Sequence, residues 1–273
     1  MKQKSPKKLL STSLLLVLIA LVSLTAATTA WMTIADSTRL KTMRLDVTSG
    51  ANLRFDLDSH ETFEEYVKSL RLIDIADRIL RDQGYHPREN PLSPVTTTDC
   101  IHFTLENGEP AAKESYMEFV LHFMATDDMV VHLTTAGEEG TRIFSDEVSD
   151  IAKAMRISFT ADDSTAVYDP GMEPGSEEGL GGKIFGLARG NRIVYDASNT
   201  LFFLKAGVDK PVTVRIWLEG TDEICTDALR GVPYNIQLRF VGTDENGNLL
   251  EDSRTTTRRS AAATPTEERN ENK

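Results

Sequence analysis

The stretch Pro211–Gly242, PVTVRIWLEGTDEICTDALRGVPYNIQLRFVG, decides the fold class. In its first half aliphatic residues alternate with polar residues and a tryptophan, and the aliphatic positions are Val212, Val214, Ile216 and Leu218. In its second half the same alternation places Ile236, Leu238 and Phe240 on one face. A period of two with charges opposite is typical of a half-buried antiparallel strand. The stretch therefore predicts two long strands of a β-sandwich, joined by a compact polar connection.

The rest of the chain repeats this alternation in shorter segments. The predicted strands are 40–47 and 51–57, paired as a hairpin, then 101–105, 115–125, 129–135, 154–160 and 200–205. Repeated short strands favour a mainly β, antiparallel sandwich with a jelly-roll-like order over an α/β fold. We expect one domain over 31–250, with a short helix near 146–153 and a mobile surface loop at Asp169–Gly182. The polar segment 251–273 lacks periodicity and is predicted to be disordered.

One strong helix is predicted at Phe63–Gln83. Thr62 and Glu65 form a capping-box pattern, and Gly84 supplies a stop signal. Its apolar stripe fits a helix that packs across the sandwich, or alternatively one that binds a membrane or a partner. The polar face mixes acidic and basic residues, unlike the basic face of a membrane-surface helix.

The first thirty residues predict export. Four lysines precede an apolar run at Leu9–Leu24, and small residues follow it. This order is typical of a secretory signal peptide, with cleavage after Ala27 or Ala30. An uncleaved signal anchor over Leu9–Met32 is the alternative, because its length is enough to span a bilayer. In both cases the N-terminal lysines leave the rest of the chain outside the cell.

The chain is acidic, with a formal net charge of −12. Removing the first thirty residues, which carry four lysines and no acidic residue, takes the charge to −16. Such a charge does not steer a protein toward nucleic acid or an anionic membrane surface. We therefore expect no nucleic-acid partner, and membrane contact only through an uncleaved N-terminal segment.

The two cysteines, Cys100 and Cys225, lie far apart in sequence. In an exported protein they are candidates for a disulfide, which would stabilise the fold by closing a long loop. Two buried thiols are the alternative. No Cys or His spacing in the chain matches a zinc finger.

The sequence offers no recognisable catalytic constellation. It has no HExxH, no GxSxG and no EF-hand spacing. Histidines on the predicted strands could converge on a metal, but outward-facing strand histidines are usually ordinary surface residues. The five histidines of the whole chain are His60, His86, His102, His122 and His132. The acidic pairs 127–128 and 162–163 and the turn 243–247 are weak calcium candidates. Trp217 could stack on a sugar, or pack under the 221–229 connection or the helix. We expect no enzyme activity, no cofactor and no metal site.

Two parts of the chain resemble a known family. The segment Ala30-Trp31-Met32-Thr33 with the strand at Met43–Val47 is similar to the export segment and first strand of the TasA/camelysin family of Gram-positive matrix proteins. Here Ile34-Ala35-Asp36 delays the aspartate that usually follows sooner. The segments VTVRIWLEGTDEICTDAL, AMRISFT and VYDP resemble exported proteins of anaerobic Firmicutes that are often grouped near that family. In that resemblance the marker residues are Trp217, Leu218, Glu219 and Gly220.

The resemblance implies a jelly-roll-like sandwich in a biofilm matrix fibre or surface layer. One subunit's N-terminal strand would complete the sheet of its neighbour. The expected function is therefore that of a secreted or cell-surface structural protein, with further copies or matrix and cell-wall components as partners. An extracellular binding module or adhesin is the alternative. A camelysin-like metalloprotease is a second alternative, although no zinc motif supports it.

Overall fold

The computed structural model describes residues 40–48, 52–148, 150–190, 193–226, 229 and 232–250. Fifteen strands and two α-helices lie in these ranges. The strands are Leu40–Val47 (β1), Leu53–Asp56 (β2), Ser69–Arg71 (β3), Pro94–Thr97 (β4), Phe103–Thr104 (β5), Met117–Ala125 (β6), Met129–Leu133 (β7), Arg142–Phe144 (β8), Met155–Ala161 (β9), Ser164–Tyr168 (β10), Gly175–Gly179 (β11), Gly182–Gly186 (β12), Thr200–Leu204 (β13), Lys210–Glu219 (β14) and Tyr234–Thr243 (β15). The helices are Leu72–Gln83 (α1) and Ile151–Ala154 (α2), and 3-10 turns cover Phe63–Glu65 and Lys113–Ser115.

The strands form two mixed sheets. The first has the order β13-β7-β15-β1-β3, and β8 also pairs with β15. The second has the order β11-β12-β10-β9-β14, and β14 also pairs with β6 and, past the end of β6, with β4. Beyond these, β2 pairs with β6 and β5 pairs with β4. Most pairs are antiparallel as predicted, whereas β1 with β15, β10 with β12 and β4 with β14 are parallel.

The two long strands of Pro211–Gly242 form as predicted and lie in different sheets. Their aliphatic faces meet in one large core, so the connection between them crosses from one sheet to the other. Phe240 of β15 lies at the centre, with ring centroids 5.6 Å from Phe55, 5.2 Å from Phe123 and 5.9 Å from Phe159. The predicted β-sandwich is confirmed, and the jelly-roll order stays a prediction.

The predicted hairpin of the first two strands is wrong. β1 pairs in parallel with β15, with Leu45 opposite Leu238, whereas β2 pairs with β6 in the other sheet. Leu45 and Phe55 are both fully buried in the same core. The two strands bury their apolar faces against that core from opposite sides, and they therefore face each other instead of pairing.

The predicted long helix is only half present. The backbone of Val67 exchanges two 3.0 Å hydrogen bonds with Phe55, and Leu70 pairs with Leu45, so residues 67–71 are extended. The Glu65 carboxylate does accept bonds from Thr62, as the capping pattern predicts, but around a 3-10 turn.

Helix α1 begins at Leu72 and ends at the predicted stop. Gly84 adopts a left-handed φ of +83° and donates its N–H to the Leu80 carbonyl at 3.0 Å. The helix packs on β6 and β1 of the sandwich, which confirms the packing alternative; its buried residues are Leu72, Ile75, Ala76 and Ile79.

Three smaller predictions change in extent. The segment Asp169–Gly182 contains β11, which pairs with β12 through Glu177 opposite Ile184, so the loop prediction is wrong. The strand forms there through backbone pairing with β12, although the Gly- and Glu-rich sequence has no alternation that would indicate a strand. The strand predicted at 101–105 is only Phe103–Thr104, and the short helix begins at Ile151. β13 forms where predicted.

A second, smaller core contains Trp217, whose position differs from the prediction. Trp217, predicted on the polar face of its strand, is fully buried there beneath β4 and β5. Its ring lies 5.3 Å from Phe103, which stacks in turn on Tyr116 at 4.1 Å. Residues 94–105 thus cover the outer face of β14 at its C-terminal end and bury that end on both sides.

The signal segment with Ala27 and Ala30, and the tail 251–273, lie outside the described residues. Their predicted export and disorder stay predictions.

Candidate functional site

The residues of the marker motif are structural. Trp217 Nε1 donates to Glu219 Oε2 at 3.0 Å, and the Thr221 hydroxyl donates to Glu219 Oε1 at 2.8 Å. Leu218 packs in the large core, and the Gly220 N–H bonds to the Val95 carbonyl at 2.9 Å. Trp217 packs against Val95, Cys100 and Phe103 of the smaller core, and not under the 221–229 connection or α1 as predicted. Because it is fully buried, it offers no face to a sugar.

The two cysteines lie in different environments. Cys100 is buried in the smaller core, where burial raises the pKa of its thiol to about 11. Cys225 packs, partly buried, against the large core. No disulfide bond joins Cys100 to Cys225 in the structure, and their pairing stays a prediction.

The strand histidines do not converge. His122 lies on β6 of the second sheet and His132 on β7 of the first. The expectation of outward-facing histidines is wrong for His132, which is buried and bonded to Asn199 Oδ1 at 2.8 Å and to Thr243 Oγ1 at 3.2 Å. Within the described ranges, no three His, Cys, Asp or Glu side chains are grouped to hold a metal ion.

His122 belongs to a polar cluster around Asp209. One carboxylate oxygen lies 2.8 Å from His122 Nδ1 and accepts the Ser59 hydroxyl at 2.9 Å, while the other accepts the Tyr66 hydroxyl at 2.8 Å. Burial opposes ionisation of Asp209, but these hydrogen bonds outweigh it and lower the pKa of the carboxyl. The cluster ties the 57–66 segment to β6 and to the turn before β14.

Three of the acidic candidates for calcium bond to backbone N–H groups or to a lysine. Asp128 accepts the Ala206 N–H at 2.8 Å, and Asp162 pairs with Lys210 at 2.6 Å. Asp244 accepts the N–H groups of Asn246 and Asn248, both at 2.8 Å, in the predicted hairpin turn.

A groove of about 940 Å³, which we name the end groove, opens at the surface. It lies between β8 of the first sheet, helix α2, and the segments that follow β10 and β12 of the second sheet. Six of its lining side chains carry the chemistry discussed below: Glu138, Arg142, Phe144, Tyr168, Glu173 and Arg189. Because these residues come from three stretches that lie far apart in sequence, 138–144, 168–173 and 189, only the folded chain brings them together.

The wall at residues 135–141 is a tight loop. Gln237 of β15 donates from Nε2 to the Gly140 carbonyl at 2.6 Å and to the Glu138 carbonyl at 3.2 Å. A Cβ at Gly140 would lie 1.9 Å from the Thr135 carbonyl oxygen, so only glycine fits there. This wall is therefore held by the Gln237 side chain and by close backbone packing at Gly140.

A buried ion triad holds the opposite part of the end groove. Arg156 Nη2 lies 3.0 Å from Asp169 Oδ2 and 2.9 Å from Asp222 Oδ2, with all three side chains less than a fifth exposed. Asp169 Oδ1 also accepts the Gly171 N–H at 2.7 Å, which shapes the segment lining the groove. Burial raises the pKa of Asp169, although the Arg156 charge acts in the opposite direction.

Arg54 and Arg239 also bury an Nε without a partner, but each donates from Nη1 to backbone carbonyls, whereas Arg142 forms no hydrogen bond with the described residues. The Arg142 guanidinium carbon lies 4.0 Å from the Phe144 ring centroid, and its Nε is buried without a hydrogen-bond partner among the described residues. Arg142 and Arg189 did not stand out in the sequence, because an arginine on a short strand or in a loop reads as an ordinary surface residue.

Comparison with known proteins found no matching family description, no matching curated protein and no matching solved structure. Nothing in these comparisons bears on the TasA/camelysin resemblance. In the ranges that the structure describes, no helix is long and apolar enough to cross a membrane.

Proposed function

We propose that this chain is an exported structural β-sandwich whose copies associate outside the cell, each through the N-terminal segment of a neighbour. The observation that carries the proposal is the edge strand β13. It pairs with β7 on one side, and no described strand pairs with its other side. An unpaired edge offers backbone N–H and C=O groups to an extended chain.

A slot beside β13 supports strand addition there. It has a volume of about 640 Å³ and is lined by Thr200–Phe203 on one side and residues 161–166 on the other. Phe203 points outward with 45% of its surface exposed. Lys183 Nζ donates to the Thr200 carbonyl at 2.7 Å and so occupies one end of the edge. The remaining edge suits a segment of about four or five residues.

The occupant that we propose is the segment 31–39 of a second copy. It directly precedes β1 and alternates apolar and polar positions over Met32, Thr33 and Ile34. A strand from a neighbour would pair with β13 by backbone bonds and cover Phe203 with an apolar side chain. An acidic protein that polymerises this way depends on backbone pairing and apolar contact, because its like charges repel.

The test compares assembly of three forms of the chain that begins at Trp31. Sedimentation at increasing concentration should show growing species for the unmodified protein. A form lacking Trp31–Ser37 should stay monomeric, and so should Phe203→Lys, because an edge lysine blocks strand addition. Ile101→Lys is the matched control, since Ile101 is 55% exposed in the connection between β4 and β5, outside the β13 edge. A strictly monomeric unmodified protein would refute the proposal, as would undiminished assembly of the Phe203→Lys form.

A second candidate function, an extracellular binding module, is favoured by the end groove. The groove is concave and carries two arginines without carboxylate partners among the described residues.

A further inference from the structure

We propose that the end groove binds a small organic ligand through a single carboxylate or phosphate group. The groove shares no lining residue with the slot beside β13, so this proposal does not depend on the assembly proposed above. Its volume of about 940 Å³ is in the range of small-molecule sites.

Arg142 is the proposed anchor. Two other half-buried arginines neutralise carboxylates directly, Arg156 with Asp169 at 3.0 Å and Arg215 with Glu118 at 2.5 Å. Arg142 has no such partner in the described ranges, and its guanidinium contacts the Phe144 ring instead. A partly desolvated guanidinium costs free energy unless an anion or other acceptors satisfy its donors. The planar guanidinium fork matches the two oxygens of a carboxylate or phosphate.

Arg189 supplies a second positive charge. It follows β12 of the second sheet, is exposed, and forms no ion pair with any described residue. Beside it, the Ala136 N–H bonds to the Ala188 carbonyl at 2.9 Å, which joins the two walls of the groove. Tyr168, which is 2% exposed, completes the lining with an aromatic ring. The site thus combines two guanidiniums with apolar surface, as small anionic ligands require.

The remaining charges limit the ligand to one anionic group. Glu138 and Glu173 are exposed residues on the rim, where they would repel a second negative charge. Lys153 also lines the groove, but its ammonium is already paired with Asp150 at 2.9 Å. A polyphosphate, a nucleic acid or a polyanionic glycan therefore fits the groove less well than a ligand with one anionic group.

Titration calorimetry with three probes tests the site and its chemistry. Galacturonate offers a carboxylate, glycerol 3-phosphate offers a phosphate, and galactose is the neutral counterpart of galacturonate. We expect saturable binding of at least one anion and none of galactose. Raising the salt concentration from about 50 mM to about 500 mM should weaken that binding, because the charges are partly exposed. The preferred anion identifies which of the two groups the site takes.

Two variants locate the binding in the groove. Arg142→Met keeps an unbranched apolar side chain and removes the guanidinium fork, and Arg189→Gln changes an exposed residue that should not affect folding. Each should weaken binding about tenfold or more, as expected for loss of a charged hydrogen bond. Lys205→Gln is the control, since it removes one exposed positive charge away from the groove. No binding of either anion at about 10 mM, equal binding of galactose, or unchanged binding by Arg189→Gln would overturn the proposal.

Discussion

Replacing Arg156 with methionine should destabilise the fold strongly and in a pH-dependent way. The guanidinium lies within 3.0 Å of both Asp169 and Asp222, and all three side chains are less than a fifth exposed. Methionine fills a similar volume but leaves two carboxylates close together without a counter-charge. Breaking a buried pair from one side costs about 3–5 kcal/mol, because an uncompensated charge remains.

The residual exposure of 12–18% places the expected loss near the lower end, about 3 kcal/mol at pH 7. For a domain of this size that corresponds to a fall in melting temperature of roughly 6–12 °C. Burial already raises the pKa of Asp169, and removing the arginine takes away the main effect that opposes it. In the variant, the folded state therefore binds protons more readily than the unfolded state. The loss should shrink as the pH falls from 7 toward about 4.5.

Urea unfolding followed by circular dichroism at pH 7 and pH 4.5 measures both effects. The matched control is Arg81→Met, because Arg81 is 63% exposed and contacts Asp82 at 3.3 Å. An exposed pair of that kind contributes less than about 1 kcal/mol. A loss below about 1 kcal/mol for Arg156→Met at pH 7, or a loss that grows on acidification, would refute the assignment of the triad as a buried ion cluster.

Three further changes test other parts of the fold. Phe240→Ala removes the ring at the centre of the core and should cost about 3–5 kcal/mol by urea unfolding, whereas Phe203→Ala on the exposed edge should cost less than about 0.5 kcal/mol. Gly84→Ala should cost about 1–2 kcal/mol through backbone strain alone, since φ is +83° and a Cβ there meets no atom within 4 Å; an unchanged midpoint would contradict this. Burial lowers the pKa of His132, so below about pH 6.5 the unfolded state takes up a proton that the folded state excludes. Stability should therefore fall between pH 7 and pH 5, and less steeply in His132→Gln; parallel profiles would contradict the assignment.

The parts of the fold that could be predicted are those that a local sequence pattern indicates without reference to its partners in the fold. The alternation of Val212 to Leu218 and of Ile236 to Phe240 is local, and both strands form as predicted. The stop at Gly84 is local as well, since it depends on one left-handed residue. The same reasoning fails for Trp217, because its burial depends on residues 94–105, which cover the strand from outside.

Partner choice was not predictable from local pattern. Residues 63–71 carry apolar positions that fit a helix, but Val67 pairs with Phe55 and Leu70 with Leu45. Those two pairings depend on strands elsewhere in the chain, so the pattern of the segment itself does not indicate them. The end groove could not be predicted for the same reason, since Arg142, Tyr168 and Arg189 meet only after both sheets have formed.

The parallel pairing of β1 with β15 has a consequence for how the chain reaches its native state. The hydroxyl of Thr42 bonds to Asn235, 193 positions further along the chain. During synthesis, β1 therefore lacks this partner until nearly the whole sandwich has been made. Closing such a long loop before any contact offsets its entropy slows folding. The first sheet can therefore form in full only after β15 has been made, and truncation before residue 234 should leave it without its central strand.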